Sequence, residues 1–348
     1  MEAMASNALS HKRALTTIHD VAEAAGVSIG TVSKALRGKG RLRDTTRERV
    51  RTTANRLGFR PNDLAHSLHR KRSLTVGLLS NDSYGRFSIP LLEGIQQTLG
   101  NAGMSVFLCN AFDDPERERQ HVESLLAKRV DGVIVTSRRT DPRPPVDLGN
   151  VGVPLLYAFT RVDDRDSLNL VPDDFGGAHA AVTHLARLGR RRIAHITGPE
   201  RFESARLRRK GYKAALIEHG LAPNPALVLM GPWSELWGHE AATRLLDANA
   251  GIDGVFCGSD QIARGVVDRL RERGVAVPRD VAVVGYDNWE VVAAATRPAL
   301  TSIDMNLQEL GREAGAELLA MIEGGHRTGT RKIPCKLVVR QSCGADTH

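Results

Sequence analysis

Polar and aromatic side chains follow a series of short apolar runs in the longer, second part of the sequence. They are Ser80, Asp82, Phe87, Asn110, Phe112, Thr136, Phe159, Ser259, Asp260, Asp287 and Asn288. If the runs are parallel strands, these residues lie beyond the carboxyl ends of the strands, where open α/β sheets bind ligands. Carboxylates, amides and hydroxyls can pair with the hydroxyls of a sugar, while aromatic rings pack on its C–H faces. The pattern therefore predicts a binding site for a sugar-like molecule.

The elements that must position these residues alternate between strand and helix. The predicted strands are 74–80, 104–110, 130–136, 153–159, 192–198, 227–230, 254–259 and 281–286. Helical patterns lie between them, for example at 88–100 and 115–128, and a loop is predicted at 160–175. Such alternation predicts right-handed βαβ units with parallel strands. Because the alternation occurs in two successive sets, we expect two sheets.

The front of the chain has a different pattern. Residues 17–36, TIHDVAEAAGVSIGTVSKAL, carry the apolar positions of two short amphipathic helices. Thr17 and Ser28 stand where N-caps belong, and Gly26 stands where the first helix must end in a left-handed conformation. This spacing predicts a helix-turn-helix, in which the second helix enters the major groove of DNA. The alternative is an ordinary helical hairpin, which the surrounding charges disfavour.

The polar face of the second helix indicates how this module would contact DNA. Lys34 can donate to guanine O6 or N7, and Ile29 can pack on a thymine methyl group. Gly30 permits close approach, whereas Thr31 and Ser33 are expected to bind phosphate. The predicted DNA-binding residues of the module are Thr17, Ser28, Ile29, Gly30, Thr31, Ser33 and Lys34.

A third helix and a basic segment complete this region. Residues 43–59 carry an apolar stripe that would close a small three-helix core. Residues 60–73, RPNDLAHSLHRKRS, are short, basic and mostly polar, with Leu64 and Leu68 spaced by four. The segment is either a plain linker or a marginal helix that folds only when its leucines find a binding site.

The charge is distributed unevenly along the chain. Residues 1–73 contain 15 Lys and Arg against 6 Asp and Glu, a net charge of +9. The remaining residues contain 33 against 34, so they account for −1 of the total of +8. A basic segment that also carries a folded pattern is typical of a module that binds a polyanion.

Several classes of protein are disfavoured by what the sequence lacks. No run of 18 apolar residues predicts a membrane span, and the first residues show no secretory signal pattern. The four cysteines form no Cys-x-x-Cys pair, which fits a reducing cytoplasm.

Enzymes are disfavoured as well. The sequence has no Gly-x-Ser-x-Gly elbow, no phosphate loop and no His-Glu-x-x-His helix, and its histidines show no metal-ligand spacing. The end of the first predicted strand and the residues after it read VGLLSNDSYG, which is not a dinucleotide-binding glycine motif. We therefore expect no catalytic activity, no cofactor and no metal.

Several motifs together resemble one family. The runs TTIHDVAEAAGVSIGTVSKAL, RPNDLAHSL, SARLRRKGYKAAL, GSDQIARGV and DVAVVGYDN are similar to those of the lactose/galactose repressor family of bacterial transcription regulators. The likeness extends over about residues 16–341, and the motifs occur in the family's order.

The resemblance implies an all-α helix-turn-helix domain followed by an α/β core of two subdomains, similar to periplasmic sugar-binding proteins. The implied domains are 1–60 for DNA binding, 61–73 for a hinge and 74–348 for effector binding and dimerisation. Subdomain 1 would comprise about 74–160 and 291–327, and subdomain 2 about 161–290 and 328–343. No heptad tail follows the last strand-like run, so a dimer is expected.

For DNA binding, the resemblance implies a homodimer on a pseudo-palindromic double-stranded operator, with the two hinge helices in the minor groove. Leu68 matches the leucine that wedges between the central base pairs, and Asn62 and Ala65 match its flanking positions. The lactose repressor has Tyr-Gln in place of Ile29-Gly30 and Arg in place of Lys34. The lactose operator is therefore not the expected target.

For the effector, the resemblance assigns roles to three residues. Arg208 and Asp287 match residues that hold the effector from opposite walls, and Trp233 matches an aromatic stacking position. Surface exposure of Arg208 and core packing of Trp233 are the alternatives. The predicted effector-binding residues are Phe87, Phe112, Thr136, Phe159, Arg208, Trp233, Ser259, Asp260 and Asp287.

Departures from the family pattern leave the effector's identity open. The family's Asn-Pro-Phe-Phe motif reads Gly-Arg-Phe-Ser here, and Thr136 and Ser259 replace asparagines of the lactose repressor. An inducing sugar is expected, with a corepressor as the alternative. The rival function is that of a secreted solute-binding protein, which would need an export signal and would have no use for a basic front module.

Overall fold

The computed structural model describes residues 16–36, 40–59 and 72–345. The chain divides between residues 71 and 72 into two compact units, and each is described by itself. The predicted hinge residues Asn62, Ala65 and Leu68 lie outside the described residues.

The first unit is a three-helix core. Its helices are α1 (Ile18–Ala25), α2 (Ile29–Leu36) and α3 (Asp44–Arg56). Val21, Val32, Ala35 and Val50 are completely buried between them, so the apolar positions of all three helices meet in one cluster.

Local sequence explains where α1 begins and ends. The Thr17 hydroxyl accepts from the backbone N–H of Asp20, and the Asp20 carboxylate accepts from the backbone N–H of Thr17, which forms a capping box. Gly26 has φ 62° and ends the helix in the predicted left-handed conformation. The turn that aims α2 is therefore encoded by residues close to one another in the sequence.

The second unit contains two six-stranded sheets. The first has the order β11-β5-β4-β3-β1-β2 and is parallel throughout, and the second has the order β12-β10-β9-β8-β6-β7, with β12 antiparallel. The strands are β1 (Thr75–Ser80), β2 (Ser105–Asn110), β3 (Gly132–Val135), β4 (Leu155–Ala158), β5 (Leu168–Pro172), β6 (Ile193–Thr197), β7 (Val228–Met230), β8 (Gly254–Cys257), β9 (Ala282–Tyr286), β10 (Thr301–Asp304), β11 (Gly329–Ile333) and β12 (Lys336–Val338).

Helices cover both faces of each sheet, so most strands are apolar along their whole length. The helices are α4 (Ser88–Asn101), α5 (Pro115–Ala127), α6 (Asp174–Arg187), α7 (Glu203–Glu218), α8 (Glu235–Asp247), α9 (Asp260–Glu272), α10 (Glu290–Ala293) and α11 (Leu307–Ile322). Helices α4 and α11 pack on one face of the first sheet and α5 on the other. Helices α6 and α7 pack on one face of the second sheet, and α8 and α9 on the other. We call the first sheet with its helices lobe 1 and the second sheet with its helices lobe 2.

Within residues 72–345 the chain passes between the lobes three times. The crossings lie between β5 and α6, between β10 and α11, and between β11 and β12. They run side by side, because the Asn306 amide donates to the Pro334 carbonyl and the Cys335 thiol lies 3.5 Å from the Asp173 carbonyl oxygen. Three adjacent connections therefore join the two lobes.

The lobe boundaries differ from those predicted for the subdomains. The predicted loop at 160–175 contains β5, which pairs with β4 and β11 in lobe 1 rather than beginning the second subdomain. Likewise β10 belongs to lobe 2 and β11 to lobe 1, the reverse of the prediction. The five-residue strand β5 was missed because turn-forming aspartates flank it on both sides, and because one of its two partners, β11, is distant in sequence.

Candidate functional site

The outward face of α2 is available for contact with a partner. Ser28, Ile29, Gly30 and Lys34 are exposed, with 41% of Ile29 accessible. Thr31 and Ser33 are partly exposed on the same short helix, and Thr17 is exposed at the start of α1.

Ser28 holds the first turn of α2. Its hydroxyl accepts from the backbone N–H of Thr31 at 3.2 Å and lies 3.0 Å from the Thr31 hydroxyl. Ser28 is therefore the N-cap that the sequence predicts. An apolar side chain and an ammonium group on this face can contact base edges in a major groove, while the hydroxyls can contact phosphate.

The second candidate site lies in the core, where the ends of strands from the two lobes face each other. Phe87 follows β1 and Phe159 follows β4, and their rings stack with centroids 4.9 Å apart. Phe159 is 4% exposed, whereas Phe87 is partly buried. The structure therefore brings these two predicted effector-binding residues together on the lobe 1 side of a cleft.

Arg208 of α7 is a buried cation on the lobe 2 side. Its Nε donates to Asp174 at 2.8 Å, one of its terminal nitrogens donates to the Gly258 carbonyl at 2.5 Å, and the guanidinium lies 3.6 Å from the centre of the Tyr286 ring. Burial alone would lower the pKa of Arg208, but Asp174, Tyr286 and Asp287 outweigh that effect and raise it. Because only 5% of Arg208 is exposed, the alternative of a surface residue is wrong.

Asp287 lies directly beyond β9 and faces the same arginine. Both residues therefore belong to lobe 2, so the prediction that they hold an effector from opposite walls is wrong. Its Oδ1 is 3.7 Å from a terminal nitrogen of Arg208. Burial raises the pKa of Asp287, although Arg86 and Arg208 favour its charged form. Its backbone has φ 100°, an unfavourable conformation for a residue with a side chain. Such strain occurs preferentially at ligand-binding sites.

Ser259 and Asp260 form hydrogen bonds within lobe 2. Ser259 caps α9 by accepting from the backbone N–H of Ile262, and Asp260 accepts from the Ser302 hydroxyl at 2.6 Å and from the backbone N–H of Trp289 at 2.7 Å. Burial, followed by the charge of Asp287, raises the pKa of Asp260 to about 7. Their roles as effector ligands remain predictions, while Ser259 caps its helix and Asp260 positions the loop that carries Trp289.

The other predicted effector residues do not all lie beside Arg208 and Asp287. Trp233 lies near Arg208, with 5.7 Å between the guanidinium carbon and the ring centroid, and it also packs against the lobe 2 core. Thr136 is fully buried, and its hydroxyl has no hydrogen-bond partner among the described residues. Phe112 is 52% exposed and contacts Arg117 instead of the cleft aromatics.

The cleft residues Arg86, Gln261 and Trp289 were not predicted as site residues, and neither were Asp174 and Tyr286, which contact Arg208. Arg86 reaches from lobe 1 to form an ion pair with Asp287 and donates to the Gln261 side chain at 3.0 Å. Its guanidinium carbon lies 4.4 Å from the centre of the Trp289 ring. The only sequence signal was the altered Gly-Arg-Phe-Ser motif, which does not indicate a partner 201 residues away.

Comparisons with known proteins find matches for both parts of the chain. Residues 17–62 match the bacterial regulatory proteins of the lacI family, and residues 182–343 match a periplasmic binding protein-like domain. The HTH-type transcriptional regulator AscG of Escherichia coli strain K12 is 31% identical over 331 residues, which cover 94% of this chain and 98% of AscG. The chain belongs to the lacI family.

Solved structures of transcriptional regulators share its architecture. The lac repressor dimer bound to operator and the anti-inducer ONPF aligns with a TM-score of 0.78 and 28% identity, covering 95% of this chain and all of that one. The complex of the regulator CelR with cellobiose aligns with a TM-score of 0.66 and 30% identity, covering 94% of this chain and 99% of that one. The predicted fold class, a helix-turn-helix followed by a two-sheet periplasmic-binding-protein-like core, is confirmed.

This lacI-family chain is thus a DNA-binding transcriptional regulator, and the relatives described above are regulators as well. In the described part of the chain, no helix combines the length and apolarity needed to cross a bilayer.

Proposed function

We propose that the chain is a cytoplasmic repressor that binds a pseudo-palindromic operator as a homodimer and is released by a sugar-like effector in the cleft. The observation that carries the proposal is the presence on one chain of an exposed helix-turn-helix face and a cleft lined by aromatic rings, Arg208 and Asp287. A solute-binding protein would need only the second feature.

The cleft has the groups that sugar recognition requires. Arg208 and Asp287 offer a cation and a carboxylate, and Phe87 and Phe159 offer apolar ring faces. A sugar can hydrogen-bond to the charged groups with its hydroxyls and pack its C–H face on the rings. CelR, which aligns over nearly the whole chain, is described as a complex with cellobiose.

The three crossings between the lobes provide a route by which effector binding can affect DNA binding. An effector that contacts both lobes favours one relative orientation of lobe 1 and lobe 2 about the three crossings. In a dimer, that reorientation would change the separation of the segments that lead to the two DNA-binding modules. A coupling of ~1–3 kcal/mol per site is typical of such allostery.

The DNA-binding proposal is tested by selection from a library of random duplexes with the full-length protein. We expect enrichment of one inverted repeat. The Lys34→Ala variant should bind that repeat more weakly by ~1–3 kcal/mol, the value of a good base contact. The same variant should keep the wild-type melting temperature, because Lys34 is exposed.

Failure to enrich any inverted repeat would contradict the proposal and favour the solute-binding alternative. The effector proposal is tested separately, by measuring the melting temperature of the full-length protein with single monosaccharides and disaccharides. At least one neutral sugar should raise it, because a ligand that binds only the folded state stabilises that state.

A further inference from the structure

We propose that Arg86 determines which effectors the cleft admits: without effector it latches the two lobes together at Asp287, and an effector binds by taking its place. This inference rests on the proposed effector site and adds a competitor that belongs to the chain itself. It also narrows the effector to a neutral sugar with adjacent hydroxyl groups.

The contacts of Arg86 cross the cleft. Arg86 belongs to the loop after β1 in lobe 1, whereas its partners Asp287, Gln261 and Trp289 all belong to lobe 2. The side chain of Arg86 is 15% exposed and that of Asp287 is 7% exposed, so the ion pair is largely shielded from water. A shielded pair is screened less by salt than a surface pair.

Hydrogen bonds to the buried Asp82 hold the loop that carries Arg86 in place. The buried carboxylate of Asp82 accepts from the backbone N–H groups of Phe87 at 2.7 Å and Ser88 at 2.9 Å. The Asn110 amide in turn donates to the Asp82 carbonyl at 2.9 Å. The direction of Arg86 is therefore set by a preorganised turn rather than by a loose loop.

Arg86 also occupies the position that an effector would need. Its guanidinium carbon lies 4.4 Å from the Trp289 ring centroid and 5.0 Å from that of Phe87, and the Phe87 ring stacks on Phe159. A flat group thus already packs against the aromatic faces available to a sugar. It also donates to the carboxylate that a sugar would use.

The chemistry of the exchange specifies the incoming ligand. Asp287 loses an N–H donor when Arg86 leaves, so the replacement must supply hydrogen-bond donors, which neighbouring sugar hydroxyls do. A carboxylate or phosphate on the ligand would instead face the Asp287 carboxylate, and like charges repel, while Arg208 is already paired with Asp174. We therefore expect neutral sugars to bind in preference to their acidic counterparts.

The latch is tested without any effector by hydrogen exchange on the full-length protein. In Arg86→Ala, peptides covering 81–88 and 286–290 should exchange at least about fivefold faster than in wild type. Local opening of the variant does not have to break the Arg86–Asp287 ion pair. The Arg161→Ala control removes another interlobe pair, Arg161–Glu203 at 2.9 Å, which does not involve Asp287. Its faster exchange should be confined to peptides around 161 and 203.

Unchanged exchange at 81–88 and 286–290 in Arg86→Ala would overturn the latch. Arg86→Lys keeps a cation for Asp287 but has no planar guanidinium to fit between the rings, so it should give intermediate exchange. Far-UV circular dichroism and the melting temperature of each variant show whether it is folded. If Arg86→Ala does not fold, the exchange rates of Arg86→Lys and wild type at 81–88 and 286–290 are compared instead, and equal rates would overturn the latch.

Competition is tested by titrating wild type and Arg86→Ala with D-glucose, D-galactose and cellobiose, and with D-glucuronate and D-galacturonate. A neutral sugar that shifts the melting temperature of wild type should act at about tenfold lower concentration on Arg86→Ala, but not on Arg161→Ala. Weaker binding to Arg86→Ala, or preferred binding of a uronate by wild type, would overturn the competitor role. If no sugar shifts the melting temperature of either protein, the proposed effector class is wrong. The hydrogen-exchange experiment still tests whether Arg86 latches the lobes.

Discussion

At the scale of single residues, Asp287 follows β9 with a positive φ and faces two arginines from different lobes. Arg208 is tied to Asp174 and to a backbone carbonyl in lobe 2, whereas Arg86 comes from the opposite lobe. Asp287 is therefore a carboxylate that faces one cation from each lobe.

Replacing Asp287 with Ala should make the protein unresponsive to effector. The change removes charge-assisted hydrogen bonds worth about 1.5–3 kcal/mol each, so the sugar affinity should fall at least about tenfold. The measurement is the melting-temperature shift caused by the sugar that stabilises wild type, beside binding to the selected DNA repeat. DNA binding should persist, and a variant that still responds normally to the sugar would show that the cleft is assigned wrongly.

His195 of β6 is a second residue with a measurable signature. It is fully buried and stacks between Tyr212 and Phe256, and burial lowers its pKa to about 4. In the unfolded chain the imidazole has a pKa near 6.5, so the unfolded state binds more protons between pH 6.5 and 4. The stabilisation that neutral His195 provides is therefore complete above pH 6.5 and is lost as the pH falls towards 4.

We expect His195 to reduce the free energy of unfolding by about 3 kcal/mol between pH 6.5 and 4, at ~1.4 kcal/mol for each unit of pKa shift. Asp260 acts in the opposite direction because its pKa is raised. The test therefore compares urea unfolding of wild type with that of His195→Phe, which keeps an aromatic ring but does not titrate. The difference in stability between the two proteins should become less favourable to wild type at low pH, and a pH-independent difference would contradict the prediction.

At the scale of elements, glycines set how closely the helices of lobe 1 pack. A Cβ atom at Gly94 of α4 would lie 1.9 Å from the carbonyl oxygen of Gln308, and one at Gly311 of α11 would lie 2.1 Å from that of Leu91. The two helices approach backbone to backbone, so no side-chain rotation can make room. Helix α11 follows the crossing between β10 and α11, and its position therefore affects how the two lobes are joined.

Replacing Gly94 with Ala should destabilise the protein by about 1–3 kcal/mol, the usual cost of overpacking. Gly100 lies in the same helix, and nothing lies within 4 Å of its Cβ position. Gly100→Ala should therefore be neutral or stabilising by up to ~1 kcal/mol, because alanine favours helix. Chemical denaturation of both variants measures the difference, and equal stabilities would show that α4 and α11 are not in backbone contact.

At the scale of the whole molecule, the net charge of +9 in residues 1–73 contrasts with −1 in the remainder. The DNA-binding part attracts a polyanion, whereas the charges of the cleft are paired and buried. The two activities should therefore respond differently to ionic strength.

Affinity for the selected DNA repeat should fall steeply with salt, because ~6–10 phosphate contacts release counterions and give a log–log slope of roughly −5 to −9. Sugar binding in the cleft should change little over the same range, since shielded pairs are weakly screened. Fluorescence anisotropy with labelled DNA and sugar titrations at each salt concentration measure the two. Parallel salt dependence of both would contradict this division of labour.

Local patterns in the sequence were sufficient for the helix-turn-helix and for most strands. Thr17, Asp20 and Gly26 act on neighbours within a few residues, so the start and end of α1 could be predicted from their spacing. The strand predictions succeeded where apolar runs were continuous, and the motifs of the lacI family located Arg208 and Asp287.

Only the tertiary structure decided which lobe each late strand joins and what meets Asp287 across the cleft. Strand β5 joins lobe 1 with the distant strand β11 as one of its partners, and β10 joins lobe 2 between β9 and β12. Arg86 meets an aspartate 201 residues later, and the packing of two lobes brings them together. Periodicity and caps report interactions between near neighbours, whereas contacts between distant segments depend on how whole elements pack.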